Sequence, residues 1–381
     1  MSSVSCSMED GTPLLQDIQY CIRCCMPETQ EGITFDAMGV CQACRSSEQK
    51  MRINWHEREE VLHRILTEAK QKGENTQNYD CIVPISGGKD SFFQLHILVK
   101  VYGLKVLAVT FSHNWFSETG KRNLTLALET FDVDHIMYTP NRKLVNTLAR
   151  KSLEAIGDSC WHCHAGVGAF SLHMAQKLGI PLLIWGESIA ESSGRASYDA
   201  PIHTFDRDYF QKVSAKVPAS VMVDHETVHP RDVLFFDPPS PEACEDAGVW
   251  GIHLGDYLFW DEERQTEFIK RAYGWEETDM EGTYKCYKSA ECTMAGVHDF
   301  TCYLKRGYGR GTFHASMDVR QGLLSRQEGF TLAKTHDTKR PKALDYYLSI
   351  TGMTEETFLQ TMAKKRHPLL RDTPLPIDAR D

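Results

Sequence analysis

Residues 81–91 read Cys81-Ile82-Val83-Pro84-Ile85-Ser86-Gly87-Gly88-Lys89-Asp90-Ser91. A short apolar run of strand length meets a glycine pair, and the pair meets the start of a helical pattern. Glycines let the backbone turn tightly and bring its N–H groups close to an anion. The helix N-terminus adds partial positive charge, Lys89 adds a full charge, and Ser86 and Ser91 add hydroxyl donors. A plain strand-to-helix turn would account for a bare Ser-Gly-Gly. It would not account for the whole hexapeptide in this setting, so Ser86, Gly87, Gly88, Lys89, Asp90 and Ser91 are expected to bind phosphate. The G-x-x-x-x-G-K-[ST] spacing of a Walker A loop is absent. Pro84 has no N–H for a sheet ladder, so the strand should lose regularity there.

Outward from this loop, apolar runs alternate with helical patterns. Strands are expected at Cys81–Ile85, Lys105–Thr110, Val133–Tyr138 and Pro181–Trp185. Helices are expected at Asp90–Tyr102, Thr119–Phe131, Arg142–Ile156 and Ala165–Leu178. Alternation of this kind predicts an α/β fold with a doubly wound parallel sheet. Upstream, residues 48–72 read as a charged helix with an apolar stripe of Ile53, Val61, Leu62 and Ile65, broken at Lys72-Gly73-Glu74-Asn75. Downstream, residues 190–260 look irregular, and helices are expected at Asp261–Tyr273, Lys342–Ile350 and Glu355–Met362. The expected organisation is a flexible terminus (1–19), a cysteine ribbon plus helix (20–78), a nucleotide domain (79–235) and a mostly helical C-terminal region (236–381).

The hexapeptide resembles the PP-loop of the ATP pyrophosphatase superfamily. The resemblance implies that the loop holds the β,γ-diphosphate of ATP while a substrate oxygen attacks the α-phosphate. Adenosine would then lie over the carboxyl ends of the first strands, near Val83–Ser86 and Thr110-Phe111-Ser112-His113-Asn114. Ser112 and Asn114 are the expected nucleotide contacts, and Lys89 and Asp90 the expected catalytic groups of the loop. Glu187, in Gly186-Glu187-Ser188 after a strand, reads either as a magnesium or substrate contact or as a solvated loop carboxylate.

Thirteen cysteines with no secretory signal are better read as metal ligands or reduced thiols than as disulfides. Cys21-x2-Cys24 and Cys41-x2-Cys44 have the spacing of a structural zinc site with four cysteine ligands. The metal would replace the core that so short a segment cannot form. Cys25 is a spare. Cys160-Trp161-His162-Cys163-His164 leaves three readings open. It is a functional thiol pair near the active site, part of an Fe–S site with a third cysteine such as Cys286 or Cys292, or buried reduced cysteine.

The chain has 381 residues, 42 Lys+Arg and 52 Asp+Glu, for a formal net charge of −10. An acidic balance disfavours general nucleic-acid binding, which depends on phosphate neutralisation by Lys and Arg. No run reaches membrane-span length, so a cytoplasmic location is expected. No glutaminase nucleophile elbow and no cysteine at position 2 are present. If ammonia is a reactant, it is expected from another polypeptide.

Several segments together carry a narrower resemblance. They include Gly39-Val40-Cys41-Gln42-Ala43-Cys44, the PP-loop, Cys160-Trp161-His162-Cys163-His164-Ala165-Gly166 and Pro181-Leu182-Leu183-Ile184-Trp185-Gly186-Glu187. Leu254-Gly255-Asp256-Tyr257, Lys305-Arg306-Gly307-Tyr308-Gly309-Arg310, Asp318-Val319-Arg320 and Ser325-Arg326-Gln327-Glu328 continue it. Over about residues 20–365 the chain resembles the N-acetyl sugar amidotransferases of surface-polysaccharide synthesis (WbpG and PseA type). The resemblance implies conversion of an acetamido group on a nucleotide-linked sugar into an acetamidino group, with ATP, Mg2+ and a structural Zn2+. It implies Lys89, Asp90, Glu187, Cys160 and Cys163 as catalytic groups. Lys305, Arg310, Arg320 and Arg326, in and after a glycine-punctuated basic loop, would be sugar-nucleotide contacts. It implies ammonia from a separate glutaminase subunit like that of imidazole glycerol phosphate synthase, with a cyclase-like subunit as a further partner. The alternatives are a tRNA thiolase with zinc and an Fe–S cluster, and a non-catalytic adenine-nucleotide module.

Overall fold

β1 (Cys81–Pro84) is the middle strand of a five-stranded parallel sheet. β2 (Val106–Phe111) and β3 (Asp134–Tyr138) extend it on one side. β4 (Leu182–Trp185) and β5 (Trp250–His253) extend it on the other, giving the order β3-β2-β1-β4-β5. The computed structural model describes residues 11–192 and 196–378. Strand β1 ends at its proline. Ile85 N donates to Val109 O at 2.8 Å, so the alternation of a strand turns the missing N–H of Pro84 toward β4. On that side the only β1 register pair is Ile82 with Leu183.

The strands are apolar on both faces because helices cover both faces. Val83, Val106 and Ala108 pack with Leu62, Leu66, Phe92 and Leu95 on one side. Ile82, Leu107 and Val109 pack with Leu148, Trp161 and Phe170 on the other. The connecting helices are Lys89–Leu95 (continued by a π-turn, His96–Val101), Glu118–Phe131, Arg142–Ile156 and Trp161–Leu178. Strand order reverses between β1 and β4, so the crevice for a ligand opens where Ser86 and Glu187 follow those strands.

Four expectations need correction. The helix expected from Ala165 begins at Trp161, which makes Cys160 its N-cap and puts Cys163 and His164 in the first turn. The segment 48–72 is two helices, Gln42–Lys50 and Trp55–Thr76, the second capped by the Asn54 side chain accepting from Glu57 N. That helix runs through Gly73 because a Cβ there would lie 2.1 Å from Asp80 Oδ1, so the glycine serves close packing rather than termination. The irregular stretch 190–260 contains β5, whose Trp250-Gly251-Ile252-His253 is not a continuous apolar run.

The C-terminal region is helical, as expected: Ala295–Arg306, Arg310–Gln321, Arg326–Asp337, Ala343–Thr351 and Glu355–Lys364. The basic loop of the sequence reading is a tight junction instead. Lys305 and Arg306 end one helix, Gly307 (φ +73°) turns the chain, and Arg310 begins the next. Val297, Phe300 and Leu304 pack on Val145 and Leu153, which holds these helices against the nucleotide domain. Leu15 and Ile18 are buried in the same cluster, so residues 11–19 are part of the packed structure, while residues 1–10 lie outside the described ones.

Candidate active site

The loop is held by its own short bonds and by distant segments. Gly88 N donates to Ser86 Oγ at 3.3 Å, and Ser91 Oγ donates to Gly88 O at 2.9 Å. Trp275 Nε1 donates to Gly87 O at 3.0 Å. Gly87 has φ +81°, and a Cβ there would lie 2.6 Å from Gly120 O and 2.8 Å from Leu124 N. Both partners are backbone and cannot step aside. Gly87→Ala is therefore expected to cost about 2–3 kcal/mol and to abolish nucleotide binding. A thermal melt together with ATP titration checks it; unchanged binding would mean the loop tolerates a different backbone.

Buried charge gathers beside the loop. Lys89 Nζ is 5% exposed, lies 2.6 and 2.7 Å from the Asp90 carboxylate oxygens and 3.6 Å from Glu262 Oε1. Burial works against its charge, but Asp90 and Glu262 outweigh burial and hold the ammonium protonated. Glu262 is buried too, yet Lys288 and Lys89 hold it well below the ordinary carboxyl range. Glu187 goes the opposite way. Burial, then the neighbouring Glu262 and Asp90, push it from 4.5 up to about 8. The two carboxyls therefore share one proton at neutral pH.

That proton has a consequence for stability. The folded chain keeps it where the unfolded chain loses it above the ordinary value of 4.5. Stability is expected to fall as pH rises from there through about 8, and Glu187→Gln should flatten the fall. Melts of both proteins across this range check it, and an equal slope in the variant would assign the proton elsewhere.

Two clefts meet at the loop. One, of about 390 Å3, is bounded by the loop on one side and by Lys288, Arg306, Arg310 and His314 on the other. The second, of about 490 Å3, is more apolar and is walled by Ile85, Phe111, Trp115, Trp185 and Phe210. Both include Ser86, Asp90, Glu187, Glu291 and Arg310. Glu291 is half-buried, and loss of solvent raises its pKa.

The expected site residues separate into groups. Ser86, Gly88, Lys89, Asp90, Ser91 and Glu187 border the first cleft, while Gly87 supports the loop from behind. Ser112 and Asn114 do not face either cleft; Asn114 Nδ2 donates to Pro140 O at 2.8 Å and its N to Ser112 Oγ at 3.3 Å. Past the end of β2 the chain brings their neighbours His113 and Trp115 to the second cleft instead, turning at Asn114 (φ +67°). Arg310 faces both clefts and pairs with Asp299 at 2.8 Å. Lys305 donates to Ile156 O at 3.0 Å and pairs with Glu31 at 3.3 Å. Arg320 Nη1 reaches Cys24 Sγ at 3.9 Å, and Arg326 donates to Cys21 O and Cys24 O. Those two arginines brace the cysteine knuckles. Glu262, Trp275, Lys288 and Glu291 were missed because no local pattern marks them.

Cys21, Cys24, Cys41 and Cys44 converge, buried, with sulfurs 3.8 Å (Cys21 to Cys44) and 3.7 Å (Cys24 to Cys41) apart. A tetrahedron with Zn–S bonds of about 2.3 Å has edges of about 3.8 Å, so the donor set fits structural Zn2+. Arg23 N and Cys41 N donate to Cys21 Sγ, as knuckle turns do around a thiolate. Cys25 stands apart, its thiol bonded to Arg326 O and pushed up to about 12 by burial. Cys160, Cys163 and Cys292 face the second cleft together, whereas Cys286 lies near Asp279, away from both clefts.

Residues 281–371 match the family model for LPS biosynthesis protein WbpG-like, C-terminal domain. The C-terminal part of this chain is similar to a WbpG-like domain. The matched segment supplies Lys288, Arg306, Arg310 and His314 to the first cleft, so it faces the Ser86–Ser91 loop. No curated protein matches the chain. Among solved structures, NMN synthetase from Francisella tularensis is similar at 11% identity and a TM-score of 0.26, covering 57% of this chain and 87% of that one. Among the described residues, no helix is long and apolar enough to cross a membrane.

Proposed function

We propose that the chain is an ATP-dependent amidotransferase that turns the acetamido group of a nucleotide-linked N-acetyl sugar into an acetamidino group. The observation that carries this reading is the first cleft, with a PP-loop on one wall and cations of a WbpG-like domain on the other. ATP would place its adenine in the second cleft among Phe111, Trp185 and Phe210, and its β,γ-diphosphate on the loop. Asp90 and Glu187 suit the Mg2+ that accompanies ATP. The raised pKa values of Glu187 and Glu291 fit carboxylates awaiting a cation. Lys288, Arg306 and Arg310 suit the diphosphate of a sugar nucleotide.

In this reading the amide oxygen attacks the α-phosphorus and pyrophosphate leaves, its developing charge met by Lys89 and the loop N–H groups. The adenylylated carbon then takes ammonia and AMP leaves. Ammonia comes from a separate glutaminase subunit resembling that of imidazole glycerol phosphate synthase, with a cyclase-like companion, in the cytoplasm. Mass spectrometry tests it, using ATP, Mg2+, an ammonium salt and a panel of nucleotide-linked N-acetyl sugars. AMP together with an O-to-NH mass change on one sugar supports the reading, and neither product from the panel removes it. The tRNA thiolase reading keeps one observation, the convergence of Cys160, Cys163 and Cys292. A brown purified protein that carries tRNA would favour it.

A further inference from the structure

His298 and Cys302 stand one turn apart on the helix Ala295–Arg306 and share a face. His298 Nε2 lies 3.8 Å from Cys302 Sγ, and Nδ1 lies 3.7 Å from Asp158 Oδ1. Asp158 belongs to a distant segment, the turn before the helix Trp161–Leu178, and is buried. Its Oδ1 accepts from Cys160 N at 2.8 Å and its Oδ2 from Lys216 Nζ at 2.7 Å. A thiol, an imidazole and a carboxylate thus stand in a row with the imidazole between them, the order that activates a sulfur nucleophile. Cys302 is half-buried, and both it and His298 border the cleft that contains Ser86, Lys89 and Asp90. Asp158, His164 and His298 also have donor atoms close enough for a cation. The Lys216 ammonium already neutralises that carboxylate, which leaves little for a metal to gain.

The charges facing Cys302 come from several elements. His298 and Arg306 lie on its own helix, Lys216 reaches in from a neighbouring turn, and Tyr308 follows the helix. Asp158 and His164 stand behind His298, and Glu31 pairs with Arg306. Burial disfavours the thiolate, but His298, Arg306 and Lys216 outweigh burial and bring Cys302 from 9.0 down to about 7. Cys163 and Cys292, half-buried nearby, are pushed up instead, chiefly by loss of solvent around the thiol.

We propose that Cys302 is a covalent nucleophile that takes the activated carboxamide carbon as a thioimidate, with His298 and Asp158 as positioning residues. The inference rests on the amidotransferase reading and deepens it. Adenylylation of the amide oxygen releases the amide N–H proton and leaves a C=N carbon bearing O–AMP. The Cys302 thiolate forms a C–S bond as the C–O bond to AMP breaks, and AMP departs with the electron pair. Ammonia then forms the C–N bond, and the C–S bond breaks to return the thiolate. Solvent takes the proton that ammonia loses, and the charged His298 stays paired with the returning thiolate. The thiolate is available at neutral pH, where ammonia is mostly protonated, so it captures the adenylate ahead of water.

The test has two arms. In the first, the whole protein is incubated with ATP, Mg2+ and the sugar nucleotide without ammonia, then quenched in acid. One AMP per chain and a sugar adduct on the Cys302 peptide are expected, and later addition of ammonia should release amidine. Cys302→Ala and Cys302→Ser, checked by thermal melts, should lose the adduct and the amidine. The second arm needs no substrate. Alkylation of Cys302 by iodoacetamide should follow a midpoint near 7, and His298→Asn should move it toward the ordinary 9.0. A midpoint that stays put in the variant overturns the positioning role. Full amidine formation by folded Cys302→Ala overturns the nucleophile and leaves the amidotransferase standing. No AMP from any sugar overturns both.

Discussion

Lys89→Ala should lower pyrophosphate release from ATP by about 10²–10³-fold, the usual loss when one preorganised group that meets developing charge is removed. The ammonium is buried at the head of the helix Lys89–Leu95, beside the loop that faces both clefts. Two carboxylates, Asp90 and Glu262, keep it charged there. Removal also leaves those carboxylates short of a cation, which costs about 3–5 kcal/mol unless they take up protons. The variant should therefore be less stable at neutral pH than in mild acid, relative to the parent. Pyrophosphate assays with melts at two pH values separate the effects. A folded variant that retains the parental rate would remove Lys89 from the chemistry.

Removing the metal from the knuckles should have the other large effect. A chelator strong enough to strip Zn2+, or Cys41→Ser, should release one equivalent of zinc and lower the melting temperature sharply. Structural zinc in small motifs is worth about 10–16 kcal/mol of binding free energy, and little else stabilises this segment. Its apolar cluster is small: Met26 and Val40, flanked by the partly buried Ile33 and Phe35, meet Tyr308, Phe313 and Val319 across the boundary. The loss should spread to the C-terminal helices, because Arg320 and Arg326 attach to the knuckles and Thr29 Oγ1 donates to Arg306 O. Zinc content by mass spectrometry and calorimetry check it. A melting point indifferent to the chelator would mean that the four cysteines act without a metal.

The parts legible in the sequence were those set by local rules. The Ser86–Ser91 loop, its flanking strand and helix, and the first four strands appear within a residue or two of their expected places. Their signals are an apolar period and the freedom of glycine, and neither depends on distant partners. The CxxC pairs were legible because tetrahedral zinc dictates their spacing. Contacts made across the chain were not legible. Ser112 and Asn114 were expected at the nucleotide, yet the chain beyond β2 turns at Asn114 (φ +67°) and presents His113 and Trp115 to the second cleft. Arg320 and Arg326 have the chemistry for phosphate, but helix packing commits them to the knuckles.

The sequence by itself determined an α/β chain with a glycine loop between strand and helix, a convergent four-cysteine cluster and a helical C-terminal part, because each is specified by neighbours a few residues apart. Only the tertiary structure decided which charges meet. Glu262 and Lys288 pair beside Lys89, Trp275 locks Gly87, and Asp158 comes to His298 and Cys302. Those partners are separated by many residues and carry no shared pattern. Burial by long-range packing both brings them together and lowers the dielectric in which their charges act.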